Sequence, residues 1–348
     1  MNPMSIYANG FARVAAVTLP VHLANPQANA TDIIESAREC SQRGIALAAF
    51  PELSLTGYSA DDLFLQAPLL DATEAALARV VAETADLLPI IIVGAPIRLR
   101  QRLYNCAVFI HRGQILGLTP KKHIPNYREF YEARYFSAPD DSTPRTIDVG
   151  PILGTTDEVI VPFHDLIVEA SDVRGFAVTA EICEDMWVPV PPSHLSALAG
   201  ATVVANLSAS PVTVGRDRER ELLVRAGSAR TSSAYIYCAS GLGESTTDLA
   251  WDGHAMIAEN GDLLAHSSRF NAEREVIVAD IDLDRLVANR VRQSSFGANK
   301  VQTESSQDPK RIAVELGMPG GDLGLERTVE RFPFFLSLIH ISEPTRLL

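Results

Sequence analysis

The sequence predicts an α/β fold, and three observations predict it. Short apolar runs alternate with amphipathic stretches of helical period through the first third of the chain, the signature of βαβ units. Two of those runs, Ile45 to Phe50 and Pro89 to Pro96, are apolar throughout, as strands covered on both faces are. The 348 residues are 47% hydrophobic and 21% charged, enough for one large domain or two modest ones with a sizeable core.

Taken in order, Phe11 to Thr18 reads as the first strand. The apolar stretch from Val14 to Ala24, preceded by Arg13 and followed by Ala28-Asn29-Ala30, also has the outline of a short signal peptide. The strand is the better reading, because the basic flank is a single residue and Pro20 and His22 interrupt the run. Thr31 or Asp32 caps a helix reaching about Arg43, and Gly44 ends it. Asp71 opens a second helix with Ala75, Leu77, Val80 and Val81 inward. Leu103 to His111 is a further strand. The middle of the chain adds strands near Glu158 to Pro162, Asp165 to Glu169, Phe176 to Glu181, Thr202 to Leu207 and Tyr235 to Ala239. Ser193 to Ala199 and Arg216 to Ala234 read as helices. Asn260-Gly261 turns a hairpin between Ala255 to Glu259 and Asp262 to Ser267, and Val276 to Ile281 is the last clear strand. Beyond Arg292 the texture becomes polar, so residues 1–292 are expected to form one domain and 293–335 a linker rather than core.

Composition excludes several function classes. A net charge of −13 and a pI near 5.1 repel phosphate backbones and argue against nucleic acid as a partner. No apolar stretch reaches the roughly 18 residues a membrane span needs. Cys40, Cys106, Cys183 and Cys238 form no CxxC pair and have no closely spaced histidines, so no metal site is expected. Few cysteines in a long chain fit a reducing cytoplasm.

Three residues stand out for chemistry. Cys183 ends a mostly apolar strand and is followed by Glu184-Asp185 and Trp187. A thiol at a strand's end, on a sharp turn, can face a pocket while the strand holds it still; it then needs a base and a positive neighbour. The alternative is a buried structural cysteine, which suits Cys40, Cys106 and Cys238 better. Glu52 breaks from the end of Ile45 to Phe50, where open α/β sheets place ligands. A partly desolvated glutamate there can accept a thiol proton, although a solvated loop carboxylate fits the same local sequence. Lys121 or its neighbour Lys122 could stabilise an oxyanion, or lie on the surface. His123 invites a protease-like Cys-His reading, but no papain-like or caspase-like cysteine context is present. Gly241-Leu242-Gly243 is too short for a dinucleotide loop.

Taken together, Pro51-Glu52-Leu53, Pro120-Lys121 and Glu181-Ile182-Cys183-Glu184-Asp185 resemble the three signatures of the nitrilase superfamily, in the family's order. The resemblance implies an αββα sandwich, usually oligomeric, with a Glu-Lys-Cys catalytic set. Phe50 to Tyr58, Tyr127 to Glu132, Asn206 to Pro211 and Gly243 to Leu249 further resemble the N-terminal glutaminase domain of glutamine-dependent NAD synthetases, in their actinobacterial form. By that resemblance Cys183 attacks the side-chain amide of L-glutamine, Glu52 moves the proton and Lys121 holds the oxyanion. Tyr58, Tyr127, Glu132, Trp187 and Ser210 would surround the glutamine, with Arg216 in support. Glu132 would meet the substrate ammonium, with Glu129 as a second candidate. Trp187 departs from the phenylalanine the resemblance leads one to expect.

The hydrolysis implied needs no cofactor. ATP, Mg2+ and deamido-NAD would belong to a synthetase domain whose Ser-Gly-Gly-x-Asp-Ser loop is missing from this sequence. Glu330 to Phe334 resembles the linker into that domain, and 336–348 reads as a non-native tail. Two other readings stay open here. One is a stand-alone amidase or carbamoylase, and the other is a non-catalytic assembly module of the same fold.

Overall fold

Strands that are apolar on both faces need two layers of cover, and the chain supplies them by packing two sheets face to face between helices. In the computed structural model, which describes residues 5–302 and 308–327, the chain runs as follows. Phe11–Thr18 (β1), Pro26–Gln42 (α1), Leu47–Ala49 (β2), Ala67–Glu83 (α2), Ile90–Leu99 (β3), Arg102–His111 (β4) and Gln114–Pro120 (β5) come first. Thr146–Asp148 (β6), Ile160–Pro162 (β7), Leu166–Ala170 (β8), Ala177–Ile182 (β9), Pro192–Leu198 (α3), Val203–Ser208 (β10), Arg216–Thr231 (α4) and Ala234–Ala239 (β11) follow. Ala255–Glu259 (β12), Asp262–His266 (β13), Glu275–Asp282 (β14), Leu283–Arg292 (α5), Ser294–Gln302 (α6) and Lys310–Val314 (β15) complete the described chain.

One sheet has the order β14-β1-β2-β3-β4-β5 and the other β13-β12-β11-β10-β9-β8-β15; β6 and β7 form a separate pair. Alternate residues of the first sheet, among them Val14, Ala16, Leu47 and Ile92, pack against Val168, Val178, Ala205 and Ile236 of the second in one apolar cluster. The other face of the first sheet meets Ile33, Ile34, Leu77 and Val80 of α1 and α2. The outer face of the second sheet meets Val224 of α4. This is the αββα sandwich expected from the sequence. Among the described residues no helix is long and apolar enough to cross a membrane.

The differences from expectation have local causes. Helix α1 begins at Pro26, capped by the Asn25 side chain accepting from Ala28 N–H at 3.2 Å. Asn-Pro is a start signal in its own right, and it precedes the apolar periodicity that pointed to Thr31 or Asp32. Helix α2 likewise starts at Ala67 with Pro68 in its first turn, and Ala76 rather than Ala75 faces inward. Strand β5 follows β4 through Arg112 and Gly113, both at positive φ, and its short mixed sequence concealed it. The stretch beyond Arg292, expected to be linker and not core, contributes α6 and β15. Parallel pairing of β15 with β8 extends the second sheet, and Leu316 is fully buried. The proposed tail, 336–348, lies outside the described residues.

A buried ion pair ties the two ends of the domain together. Arg13 on β1 lies opposite Asp280 on β14 in register, with Nε to Oδ1 at 2.7 Å and Nη2 to Oδ2 at 2.9 Å. Both side chains are essentially inaccessible. Removing one partner strands the other charge in a dry interior. Arg13→Met should therefore lower the unfolding free energy by about 3–5 kcal/mol, and Arg13→Met combined with Asp280→Leu should recover most of it. Denaturant titration measures both; a single-variant loss under about 1 kcal/mol would mean the pair behaves like an exposed one.

Candidate active site

The three residues singled out in the sequence converge, and each arrives at the C-terminal end of a strand. Glu52 follows β2, Lys121 follows β5 directly, and Cys183 follows β9 directly. Strands β2 and β5 run in one sheet and β9 in the other, so the site sits where the two sheets' ends face each other. Glu52 N–H donates to Ser208 O at the end of β10 at 3.4 Å, and Ala209 N–H donates to Glu52 Oε2 at 2.8 Å. The Glu52 loop crosses β3 so closely that a Cβ on Gly94 would fall 2.1 Å from Leu53 N and 2.6 Å from Pro51 O. Only glycine fits there.

The charges are arranged as one cation between two carboxylates. Lys121 Nζ donates to Glu52 Oε1 at 2.7 Å and to Glu132 Oε1 and Oε2 at 2.8 and 2.9 Å. Asn105 Nδ2 also donates to Glu52 Oε1, at 2.6 Å, and Asn105 O accepts from Lys121 N–H at 2.8 Å. Tyr58 O–H donates to Glu132 Oε1 at 2.8 Å. Lys121, Glu52 and Glu132 are all buried. Burial pulls the Lys121 ammonium down, but Glu132 and Glu52 overcome it and hold the group well above its ordinary value. Burial pushes the Glu132 carboxyl up to about 7; Lys121 pulls against this and Glu52 adds to it.

Cys183 opens a short 3-10 turn, Cys183–Met186, at φ +44°. A non-glycine residue in the left-handed region is unusual and marks a backbone that its surroundings hold in place. Burial raises the Cys183 thiol well above its ordinary value; the Glu52 charge raises it further, and Lys121 opposes both. The resting sulfur is therefore a protonated thiol. A thiol beside a carboxylate and a fixed ammonium can perform base-assisted nucleophilic attack with stabilisation of the resulting oxyanion.

The other expected site residues fall into two groups. Tyr58 and Glu132 stand with Lys121, and both oxygens of Glu132 are engaged. Tyr127, Trp187 and Arg216 stand by the Cys183 turn. Tyr127 O–H donates to Glu184 Oε1 at 2.8 Å, and the Arg216 guanidinium lies 3.6 Å above the Trp187 ring. The Tyr127 hydroxyl is pushed up to about 12 by partial desolvation and by Glu184, with Arg216 and Cys183 also in reach. Ser210 is buried next to Ala209, and its hydroxyl has no hydrogen-bond partner among the described residues. Glu129 lines a small cavity, about 40 Å3, that shares Tyr58 and Glu132 with the charged cluster and includes Phe64, Trp251 and Asp248. His123 bonds to Asp185, Nδ1 to Oδ1 at 2.7 Å; the charges that act on the Cys183 thiol are those of Glu52, Lys121 and Glu132.

Sequence reading passed over several supports. Asn105 fixes Glu52, and a lone asparagine inside an apolar strand was the only signal for it. Glu244 accepts from Tyr58 N–H at 2.7 Å and Ser59 N–H at 2.9 Å, holding the loop that carries Tyr58. Asp185 accepts from backbone on both sides of the site. Among the described residues no group of three His, Cys, Asp or Glu side chains could hold a metal ion.

Comparison with known proteins agrees with this architecture. The glutamine-dependent NAD(+) synthetase of Mycobacterium tuberculosis (strain ATCC 25618 / H37Rv) is 52% identical over 338 residues, which is 96% of this chain and 48% of that protein. The chain thus spans about half the length of the curated relatives it matches. The crystal structure of a glutamine-dependent NAD(+) synthetase from Cytophaga hutchinsonii matches with a TM-score of 0.68 at 26% identity, over 78% of this chain and 43% of that one. A CN-hydrolase superfamily protein from Xanthomonas campestris shares the fold, with a TM-score of 0.64 at 16% identity over 85% of this chain and 98% of that one. The carbon-nitrogen hydrolase family model matches residues 13–290. Because that match runs from β1 into α5 and takes in every strand that carries a site residue, the chain belongs to the carbon-nitrogen hydrolase family.

Proposed function

We propose that this chain hydrolyses the side-chain amide of L-glutamine through a thioester on Cys183. The ammonia released would feed ATP-dependent amidation of deamido-NAD by a synthetase domain that is not part of this sequence. The observation that carries the reading is the buried Glu52–Lys121 pair at 2.7 Å, whose charges act on the Cys183 thiol in opposite directions. The relatives at 49–52% identity are all glutamine-dependent NAD(+) synthetases, which supports the choice of glutamine and of the downstream reaction.

The steps follow from the charges. Glu52 takes the Cys183 proton as the sulfur attacks the amide carbon, and the carbonyl electrons move onto oxygen beside the Lys121 ammonium. The C–N bond breaks, Glu52 returns the proton to the leaving nitrogen, and ammonia departs. Water, deprotonated by Glu52, then attacks the thioester, releasing glutamate and restoring the thiol. Glu132 anchors Lys121 through both its oxygens; a carboxylate has about four acceptor positions, so it can meet the substrate ammonium as well. Tyr127, Trp187, Ser210 and Arg216 would hold the amino-acid end, with Glu184 supplying the carboxylate on that wall. Hydrolysis needs no cofactor; ATP, Mg2+ and deamido-NAD belong to the synthetase reaction. Homo-oligomeric assembly is part of the same reading.

Cys183→Ala should abolish ammonia release from glutamine, since no other group can form the thioester. Cys40→Ala, Cys106→Ala and Cys238→Ala, all in buried apolar surroundings, should act only through stability. Near-normal turnover by Cys183→Ala, read in a coupled ammonia assay, would sink the mechanism.

Lys121→Ala should lose about 10²-fold or more in kcat, the usual consequence of removing an oxyanion donor. Lys122 is partly exposed and paired with Asp165, so Lys122→Ala should lose little. The opposite ranking would mean that the wrong lysine has been assigned.

A pH profile tests the role of Glu132. Its carboxyl is raised to about 7, so it is ionised above that pH and protonated below, where Lys121 loses one of its two anchors. kcat/KM should fall as the pH drops through about 7, and Glu132→Gln should remove that limb while lowering the plateau. A profile that stays flat through this region would contradict the assignment.

A further inference from the structure

We propose that Asp185 is a positioning residue that sets Cys183 against Lys121. This inference rests on the glutaminase reading above and adds a residue to it. Asp185 lies two residues after Cys183 and is buried, at 2% exposure. Its Oδ2 accepts from Ile182 N–H at 3.1 Å, the residue before Cys183. The same oxygen accepts from Lys122 N–H at 3.4 Å, the residue after Lys121. Its Oδ1 accepts from His123 N–H at 2.9 Å and from His123 Nδ1 at 2.7 Å. One carboxylate thus joins the turn after β9 to the segment after β5, and those strands belong to different sheets.

Two features make this a tie and not ordinary loop packing. Cys183 sits at φ +44°, a conformation that persists only when neighbours over-determine it, and the Ile182 bond closes the turn around it. Lys121 in turn is held on its other side by its N–H donating to Asn105 O at 2.8 Å. Its backbone is therefore pinned both by Asn105 and, through Lys122 and His123, by Asp185. Loss of the carboxylate would free the Cys183 turn to move relative to the ammonium without touching any reacting atom. A shift of about 1 Å at such a distance can lower a rate about 10²-fold.

The substitution Asp185→Asn keeps the volume and replaces one acceptor oxygen by a donor, which must then face N–H groups. In the full chain, glutamine hydrolysis by Asp185→Asn should lose about tenfold to a hundredfold in kcat with KM changed by less than about twofold. The thermal melting curve should remain cooperative. The rate of Cys183 alkylation by iodoacetamide, followed by peptide mass against pH, should shift from the wild-type profile, because the sulfur's placement relative to the Glu52 and Lys121 charges sets that profile. His123→Ala removes the imidazole and keeps the backbone donor, so it should lose less than about threefold in kcat. Should Asp185→Asn fail to fold, Asp185→Glu, which keeps the charge and lengthens the arm, decides on the same readouts. Wild-type kcat and alkylation profile in a folded variant would overturn the proposal. So would a rate loss that disappears on cooling in step with the melting curve, since that is a purely structural effect. Cys183→Ala, run alongside, separates the two levels. If it still hydrolyses glutamine the catalytic reading fails, whereas if it is inactive and Asp185→Asn is normal, only the positioning role fails.

Discussion

The molecule is organised around one buried ammonium held by two buried carboxylates. Taking three charges out of water costs several kcal/mol per ion, and the arrangement survives only if almost every polar atom finds a partner. Here Lys121 Nζ has three carboxylate oxygens within 2.9 Å. Glu52 adds Asn105 and the Ala209 N–H, and Glu132 adds Tyr58. Those partners come from β4, the end of β10 and the loop after β2, so both sheets must be in place before the cluster can be satisfied. Formal charges in the cluster sum to −1 with both carboxylates ionised. A thiolate formed by losing its proton to bulk water would add a second uncompensated negative charge in a dry site, which is why burial and Glu52 both raise the Cys183 thiol. Passing the proton from sulfur to Glu52 leaves the sum unchanged. The electrostatics therefore favour proton transfer within the cluster over a preformed thiolate, and that is the requirement of general-base catalysis.

The fold delivers these groups because strand ends are rigid and loops between sheets are short. Glu52, Lys121 and Cys183 each follow a strand directly or within three residues, so their backbones inherit the sheet's position. Where the chain must leave a strand sharply, the sequence provides for it. Gly94 admits the Glu52 loop, and Cys183 takes a positive φ within hydrogen bonds to Asp185. The Glu244 carboxylate does the same for the Tyr58 loop, accepting from two successive backbone N–H groups.

Much of this was legible in the sequence, and the parts that were not share a cause. Apolar runs such as Ile45 to Phe50 gave away the buried strands, because covering both faces suppresses alternation. The Glu-Lys-Cys set was legible only as an ordered trio, since each residue alone fits a bland reading. Asn105 and Asp185 act through backbone groups or a second side chain distant in sequence, and such partnerships leave no local pattern. Strand β15 was hidden by its polar setting: Lys310 and Arg311 belong to an exposed edge strand, where charge protects an open ladder. Glu132 was identified from a motif match, which names a residue without saying what it touches; its bonds to Lys121 and Tyr58 are seen only in the structure.

The two sides of the site differ in charge. On one side Glu132 engages Lys121 through both oxygens and Tyr58 through Oε1. The opposite wall holds Tyr127, Glu184, Trp187 and Arg216 around the Cys183 turn, with Glu184 acidic and Arg216 basic. Arg216 is lodged on the Trp187 face at 3.6 Å, where the ring holds the guanidinium by cation–π attraction, and it pairs with Glu219 at 3.3 Å. On the glutaminase reading proposed above, an anion and a cation on one wall would suit the zwitterionic head of glutamine, with the Ser210 hydroxyl, which has no partner among the described residues, next to Ala209. The tryptophan in place of the expected phenylalanine fits this arrangement, because its larger face is the better platform for the arginine.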